Sequence, residues 1–184
     1  MTETVANPQD IIQFWFEKLE PRQWFKKDLD LDRVIETRFG ATHRAASLGE
    51  LAPWRTTPEG RLAEVIVLDQ FSRNIYRDRP LAFACDPMAL VLAQEAIRIG
   101  ADQEVIFEQR SFFYMPYMHS ESAKVHEWAV ELFSQPGAEY QFEFELKHKA
   151  IIDRFGRYPH RNEILGRTST PEEIEFLKQP DSSF

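Results

Sequence analysis

The sequence predicts an all-α protein, and three observations lead to that prediction. Helix start and stop signals, such as a capping residue followed by proline, recur along the whole chain of 184 residues. Between these signals, apolar residues repeat at the spacing of one helix face. No segment has the alternating β-branched pattern, bounded by hairpin turns, that predicts strands. We expect seven to nine helices packed as antiparallel pairs.

In the first half of the chain, side chains that cap free backbone N–H groups mark the predicted helix starts. Asn7 and Thr57 each precede a proline at the first helical position, which is a common N-terminal arrangement. Asp30 and Asp86 are the predicted caps of two further helices. The four predicted helices span residues 7–21, 30–47, 57–76 and 86–100.

Signals of the same kind divide the second half. The aromatic segment 111–118 is interrupted by Pro116, and Ser120 is the predicted cap of the helix that follows. Gly156 ends a long helix, because glycine readily adopts the left-handed conformation found after helix ends. Thr170 starts a short last helix, after which the final residues fray. The helices after residue 118 are predicted at 120–134, at 139–155 and from 170 onward.

Composition limits the class of protein. With 43% hydrophobic residues, the chain is long enough for one all-helical domain over residues 1–184. Its net charge of -8 argues against a nucleic-acid partner, and Cys85 is the single cysteine, so no intrachain disulfide forms. No apolar run reaches the roughly 20 residues that span a bilayer, and the N-terminus has no signal-peptide pattern. We expect a soluble, cytoplasmic protein without a membrane partner; composition leaves its oligomeric state open.

The segment RFGRYPHRNEILGR, residues 154–167, is the most unusual part of the sequence. Residues 147–167 carry a net charge of +4 in an otherwise acidic chain. The turn after Gly156 presents a set of polar side chains. Among them are arginines, whose planar guanidinium groups are suited to the capture of a carboxylate or phosphate. The alternative is that these arginines bind helix-end carbonyls and nearby acids. The candidate ligand residues are Arg157, His160, Arg161 and Asn162.

Charged residues also interrupt the apolar face of the predicted helix 57–76. Asp69 and Arg73 fall within its apolar arc, and Gln70 and Arg77 flank them. Because buried charges are costly unless they are paired, Asp69 and Arg73 must have partners. One hypothesis is a salt bridge between residues four apart. The other is that Arg73, Asn74 and Arg77 contact a ligand.

Two histidines are candidates for acid–base chemistry. His119 and Glu121 lie at a predicted helix start near the core, where burial and neighbouring charges change pKa values. His148 shares an apolar helix face, and Asp69 is its candidate partner. The alternative for each is a hydrogen-bonded core histidine. Of the remaining histidines, His126 is predicted to pack in the core and His43 to lie at the surface.

Several chemistries have no support in the sequence. It contains no glycine-rich phosphate loop, no HExxH, no cysteine pair and no GxSxG motif. We expect neither a metal nor a cofactor.

Four motifs, taken in order, carry a resemblance to a known family. They are LDQFSRNIYR (68–77), AFACD (82–86), FFYMPYMHSE (112–121) and RFGRYPHRNEILGR with STPEE (154–173). Together they resemble the bacterial family known as domain of unknown function 924. The resemblance implies a tetratricopeptide-like, right-handed helical array, and it brings no accepted activity. Small residues that recur near Ala96 and Ala129, 33 positions apart, agree weakly with such a repeat.

The leading functional hypothesis is a binding module for an anionic ligand, either a peptide carboxylate or a small phosphorylated metabolite. The polar candidates would meet in one cavity, where arginines supply charge and amides set orientation. The first alternative is a hydrolase or lyase that uses His119 with Glu121, or His148 with Asp69, as acid–base groups. The second is a buried structural network in a protein whose interactions lie elsewhere.

Overall fold

A computed structural model describes residues 4–183, and within that range it contains nine helices and no β-strand. The all-α prediction is therefore confirmed. The first four helices are α1 (Pro8–Gln13, continued by Phe14–Lys18), α2 (Pro21–Trp24), α3 (Leu29–Ser47) and α4 (Pro58–Ile66, continued by Val67–Phe71 and Ser72–Ile75). The other five are α5 (Asp86–Arg98), α6 (Phe107–Met118), α7 (Ala123–Phe133), α8 (Glu139–Phe155) and α9 (Pro171–Phe176). The tetratricopeptide-like arrangement stays a prediction.

Two of these helices contain a single turn of wider, π-helical geometry. The turns are Phe14–Lys18 in α1 and Val67–Phe71 in α4. Such turns are rare and occur often at functional sites. The second is of interest because Asp69 and Gln70 lie within it, both buried.

The chain divides into two compact units. The first contains the residues up to Arg77 together with Leu81–Pro116, and the second contains Asp78–Pro80 together with the residues from Tyr117 onward. The prediction of a single domain stays a prediction, since compact units of this kind can belong to one domain.

In the first unit, α4 is the central helix. It packs against α1, α3 and α5, and its apolar residues have almost no solvent exposure. Ala89, Ala93 and Ala96 are fully buried on α5, and their small size lets that helix approach α4 closely. An aromatic cluster fills the space beside α1, where the Phe39 and Phe71 rings stack 5.1 Å apart.

In the second unit, α7 packs against α8. Tyr158 is fully buried with Ile151 and Ile152 of α8. Phe155 and Phe176 extend this core to α9, with their ring centroids 5.0 Å apart. The loop after α8 is thereby packed into the core, which fixes the segment 154–167.

The local helix signals are mostly confirmed. The side chains of Asn7, Thr57 and Thr170 accept hydrogen bonds from the backbone of the following turn, as predicted. Gly156 ends α8 with φ of +68°, in the left-handed region. Asp86 is not a cap, because it is the first residue of α5 and its carboxylate binds an arginine instead.

Two predicted caps are displaced by two residues. The N-cap of α3 is Asp28 rather than Asp30, because the Asp28 carboxylate accepts from two backbone N–H groups of the first turn, at 3.0 and 3.1 Å. The N-cap of α7 is Ser122 rather than Ser120. Ser120 lies before the helix, and its carbonyl accepts a hydrogen bond from the side chain of His126.

One segment is marginally apolar. Residues Pro80–Arg98 have a mean hydropathy of 1.3 and are 22% buried, so by length and composition alone this segment could cross a bilayer. Core helices of soluble proteins meet the same criterion. Within the described residues, this is the one helix that meets the test. A cytoplasmic location stays a prediction.

Candidate functional site

Asp32 of α3 holds two of the predicted ligand residues, Asn74 in α4 and Arg77 in the turn after it. Its carboxylate accepts from Arg77 Nε at 2.6 Å, from Arg77 Nη2 at 2.8 Å and from Asn74 Nδ2 at 2.8 Å. The two parallel bonds from Arg77 form a bidentate pair, which is the strong geometry for arginine and carboxylate. Asn74 and Arg77 therefore join α4 and the turn after it to α3. Asp32 was not predicted, and it lies 45 residues away from Arg77 in sequence.

Arg73 binds two carboxylates. Its Nη1 donates to Asp69 Oδ1 at 3.3 Å, so the predicted salt bridge between residues four apart exists. The closer carboxylate is Asp86, at the start of α5, which accepts from Nη1 at 2.9 Å and from Nη2 at 3.0 Å. Gln70 donates to the other Asp69 oxygen at 2.6 Å. These contacts tie the π-helical turn of α4 to α5.

Glu121 in the second unit is bound by Arg167. The arginine donates to both carboxylate oxygens, at 2.6 and 2.9 Å, and the backbone N–H of Tyr158 donates to one of them at 2.7 Å. Burial raises the pKa of Glu121, but the hydrogen bonds from Arg167 and Tyr158 and the charges of Arg167 and Arg161 outweigh burial and lower it. Glu121 is thus ionised and bound at both oxygens.

Glu173 of α9 is the centre of a neighbouring network. Arg157 donates to its two oxygens at 2.6 and 2.8 Å, and Asn162 Nδ2 donates at 3.2 Å. The pKa of Glu173 is lowered to about 2, chiefly by the hydrogen bond from Arg157. Arg167 Nε donates to Asn162 Oδ1 at 2.9 Å, so the network continues to Glu121. Arg157 and Asn162 therefore hold the arginine-rich loop against α9.

Three histidines and one arginine surround the ring of Tyr158. The ring centroids of His160, His148 and His126 lie 5.5, 5.7 and 6.3 Å from that of Tyr158. The guanidinium carbon of Arg161 lies over the same ring at 4.6 Å. We refer to these five residues as the histidine cluster.

His119 is linked to the histidine cluster through its backbone and its charge. Its carbonyl oxygen accepts from Arg161 Nη2 at 3.1 Å. The pKa of His148 is lowered to about 3, first by burial and then by the charges of His119, His126 and His160, against a hydrogen bond to the Phe144 carbonyl. His148 is therefore neutral at physiological pH.

The low pKa of His148 leads to a prediction about acid stability. Below pH 6.5 the unfolded chain binds a proton at this histidine, whereas the native state binds it only near pH 3. The free energy of unfolding should therefore fall with decreasing pH, by about 1.4 kcal/mol per pH unit well below 6.5. In His148→Gln, urea titrations should show this dependence reduced between pH 6.5 and 5. Equal slopes for the variant and the native protein between pH 6.5 and 5 would contradict the assignment. Between pH 7 and 8, the slopes of the two proteins should be equal.

Sequence reasoning missed a buried acid–histidine pair. His126 Nδ1 lies 2.7 Å from Glu145 Oε1, and neither side chain is exposed. His126 is in the core, as predicted, but with three polar partners rather than by packing alone. Glu145 lies three residues before His148, which puts both on one helix face. That spacing was the feature of the sequence that could have placed Glu145 on the buried face of α8.

The prediction that His43 lies at the surface is wrong. It is 3% exposed, and its Nε2 lies 2.7 Å from the hydroxyl of Ser72. That hydroxyl donates to the carbonyl of Leu68 at 2.5 Å, so His43 is the donor in its contact with Ser72. Burial lowers the pKa of His43. A histidine that donates to a serine cannot activate it as a nucleophile, so this pair is structural.

The predicted site residues fall into two sets. In the first unit, Asp69, Gln70 and Arg73 share one set of contacts, and Asn74 and Arg77 share another. The members in the second unit are His119, Glu121, His148, Arg157, His160, Arg161 and Asn162. Whether all of them meet in one cavity stays a prediction. Within residues 4–183, no group of three or more His, Cys, Asp or Glu side chains is arranged to hold a metal ion.

Comparison with known proteins gives the family. A solved protein of unknown function from Agrobacterium tumefaciens is 42% identical and superimposes with a TM-score of 0.88, over 93% of this chain and 96% of that chain. No curated protein matches. Residues 11–181 match the model of a family described as bacterial protein of unknown function (DUF924). The resemblance carried by the four motifs is confirmed, and the chain belongs to the DUF924 family.

Proposed function

We propose that this protein binds a small anion at the histidine cluster of its second unit, with Arg161 supplying the positive charge. The observation that carries the proposal is the convergence of three histidines and Arg161 on the Tyr158 ring. Titratable groups with strongly changed pKa values, gathered in one place, are typical of functional sites. The large change here is that of His148.

The chemistry of the cluster suits an anion with oxygen acceptors. The Arg161 side chain is buried, so its charge acts through a medium that screens less than water does. The His119 carbonyl and the Tyr158 ring fix its position. Carboxylate and phosphate are the groups that a guanidinium recognises best. A peptide carboxylate or a small phosphorylated metabolite is therefore the ligand class.

The other arginines have a different role in this proposal. Arg73, Arg77, Arg157 and Arg167 each make a bidentate contact with a carboxylate. A ligand anion would have to displace these carboxylates from partners they already match. We therefore assign these four arginines, with Gln70, Asn74 and Asn162, to a structural network.

We do not extend the proposal to catalysis. Glu121 is ionised and bound by Arg167, so it has no proton to give as a general acid. His148, with a pKa of about 3, is too weak a base to remove a proton near neutral pH.

The experiment that tests the proposal is a thermal-shift screen with carboxylates, phosphorylated metabolites and short peptides. Ligands that raise the melting temperature of the native protein should fail to do so in Arg161→Ala. Arg154→Ala is the matched control, because Arg154 belongs to the same segment but forms an exposed pair with Glu172. Stabilisation by an anion that persists in Arg161→Ala, or its absence for every anion with the native protein, would overturn the proposal.

A further inference from the structure

Glu145 forms a buried pair with His126, which is a member of the histidine cluster. Neither side chain is exposed to solvent, and 2.7 Å separates Glu145 Oε1 from His126 Nδ1. The second carboxylate oxygen, Oε2, has no hydrogen-bond partner within the described residues. A fully buried acid with one unsatisfied oxygen is unusual, because polar atoms inside proteins are almost always paired.

The partners of this pair determine where its protons lie. Carbonyl oxygens only accept, so His126 Nε2 must carry a hydrogen to donate to the Ser120 carbonyl at 2.8 Å. The Tyr158 hydroxyl likewise donates to the Met118 carbonyl at 2.5 Å. Tyr158 Oη lies 3.2 Å from His126 Nε2 and therefore accepts from the same N–H.

The charge of the pair then depends on the protons between Nδ1 and Oε1. One proton there leaves the pair neutral overall, whichever atom holds it. None, or two, would leave a net charge in a place without solvent, which is costly. Burial raises the pKa of Glu145, partly offset by the hydrogen bond and charge of His126 and by the charge of Lys149. The buried site therefore favours the state with one proton between Nδ1 and Oε1.

The pair also determines where the histidine cluster is held. The Tyr158 hydroxyl is fixed by His126 and by the Met118 carbonyl, and the Tyr158 ring supports Arg161 at 4.6 Å. We propose that Glu145 and His126 are positioning residues, which hold Tyr158, and through its ring Arg161, by sharing one buried proton. The inference depends on the proposed function only where ligand affinity is measured.

Other titratable or charged groups surround the pair and must be accounted for in any pH experiment. They are His148 and Lys149 on α8, Tyr158, His160 and Arg161 in the loop after it, and His119 before α7. Because the pKa of His148 is about 3, His148 stays neutral near neutral pH.

The first test uses nitrogen NMR of the histidine side chains in the native protein. In a neutral imidazole only one ring nitrogen carries a hydrogen, and its ¹⁵N shift differs from that of the other nitrogen. For His126 we expect Nε2 to carry a hydrogen, as its contact with the Ser120 carbonyl requires. A His126 Nε2 without a hydrogen would overturn the shared proton.

The second test follows the Arg161 side-chain protons, which the Tyr158 ring current shifts upfield. In Glu145→Ala we expect most of this shift to be lost, and in Glu145→Gln, whose amide can still bond His126, we expect it to be restored. Glu143→Ala is the matched control, because Glu143 is an exposed residue of the same helix. If Glu145→Ala does not fold, Glu145→Asp withdraws the carboxylate by one methylene and serves instead. An unchanged Arg161 shift in a folded variant that lacks the Glu145 contact would overturn the positioning role.

The third test connects the pair to binding, with inorganic phosphate as the probe. Glu145→Ala should weaken phosphate binding roughly tenfold, the size of effect that supporting residues have at metal sites, and Glu145→Gln should restore it. Equal affinities in the native protein and Glu145→Ala would contradict the link between the pair and the site. If phosphate does not bind the native protein, phosphate recognition at the site fails, while the two NMR tests still decide the role of the pair.

Discussion

Asp32→Ala is expected to lower the free energy of unfolding by about 3 kcal/mol, as the loss of one partner from a buried charge pair typically does. The Asp32 carboxylate is the shared acceptor for Arg77 and Asn74. Its removal leaves a guanidinium and an amide between α3 and α4 without this partner. Urea denaturation, followed by circular dichroism, measures the change.

Asp30→Ala is the control for this prediction. Asp30 lies on the same helix two residues earlier, but its side chain is 90% exposed and its pair with Arg33 is at the surface. Exposed pairs contribute little, because water and salt screen them. The urea concentration at the midpoint of unfolding should therefore be nearly the same for Asp30→Ala as for the native protein. If both variants behave alike, the Asp32 contacts do not stabilise the fold as described.

Gly60→Ala should destabilise the protein by about 3 kcal/mol, at the upper end of the usual cost of overpacking. Gly60 lies in the first turn of α4, where a Cβ atom would be 1.9 Å from the carbonyl oxygen of Trp54 and 2.9 Å from its carbonyl carbon. These are backbone atoms, so relief requires the turn 52–56 to move away from the helix. Helix propensity alone predicts the opposite sign, since alanine favours a helix by about 1 kcal/mol over glycine.

Gly40→Ala provides the contrast within the same chain. Gly40 lies inside α3, and a Cβ atom there would meet nothing within 4 Å. Propensity should then decide, and the variant should be more stable than the native protein by up to about 1 kcal/mol. Thermal unfolding of the two variants side by side would show opposite shifts. Shifts of the same sign would mean that the close approach of Trp54 and Gly60 is not maintained.

The features that the sequence predicted well are those with local causes. Asn7, Thr57 and Thr170 were identified as caps because the hydrogen bond that makes a cap spans only three residues. Where two residues of the same type stand close together, as Asp28 and Asp30 do, local sequence cannot choose between them. The choice depends on which carboxylate reaches the backbone N–H groups.

The partners of the charged residues were beyond sequence reasoning. The apolar surroundings of Arg73 correctly required a carboxylate partner, and Asp69 was identified at a spacing of four residues. Asp86, which makes the closer contact, is 13 residues away, and Glu145 is 19 residues from His126. Such pairs form only when helices pack, so no local pattern identifies the partner of either residue. Burial of His43 was missed for the same reason.

The π-helical turn at Val67–Phe71 has a consequence for comparing this chain with related ones. A turn of this kind accommodates one more residue than a regular turn, while the helix on either side keeps its direction. A relative that lacks one residue here can have a regular helix with both flanks in place, so an alignment gap of one position belongs inside this turn. Elsewhere in α4, the same gap would rotate every later side chain by about 100° around the axis. A helical wheel drawn with a constant step is therefore one position out of phase for residues after Phe71.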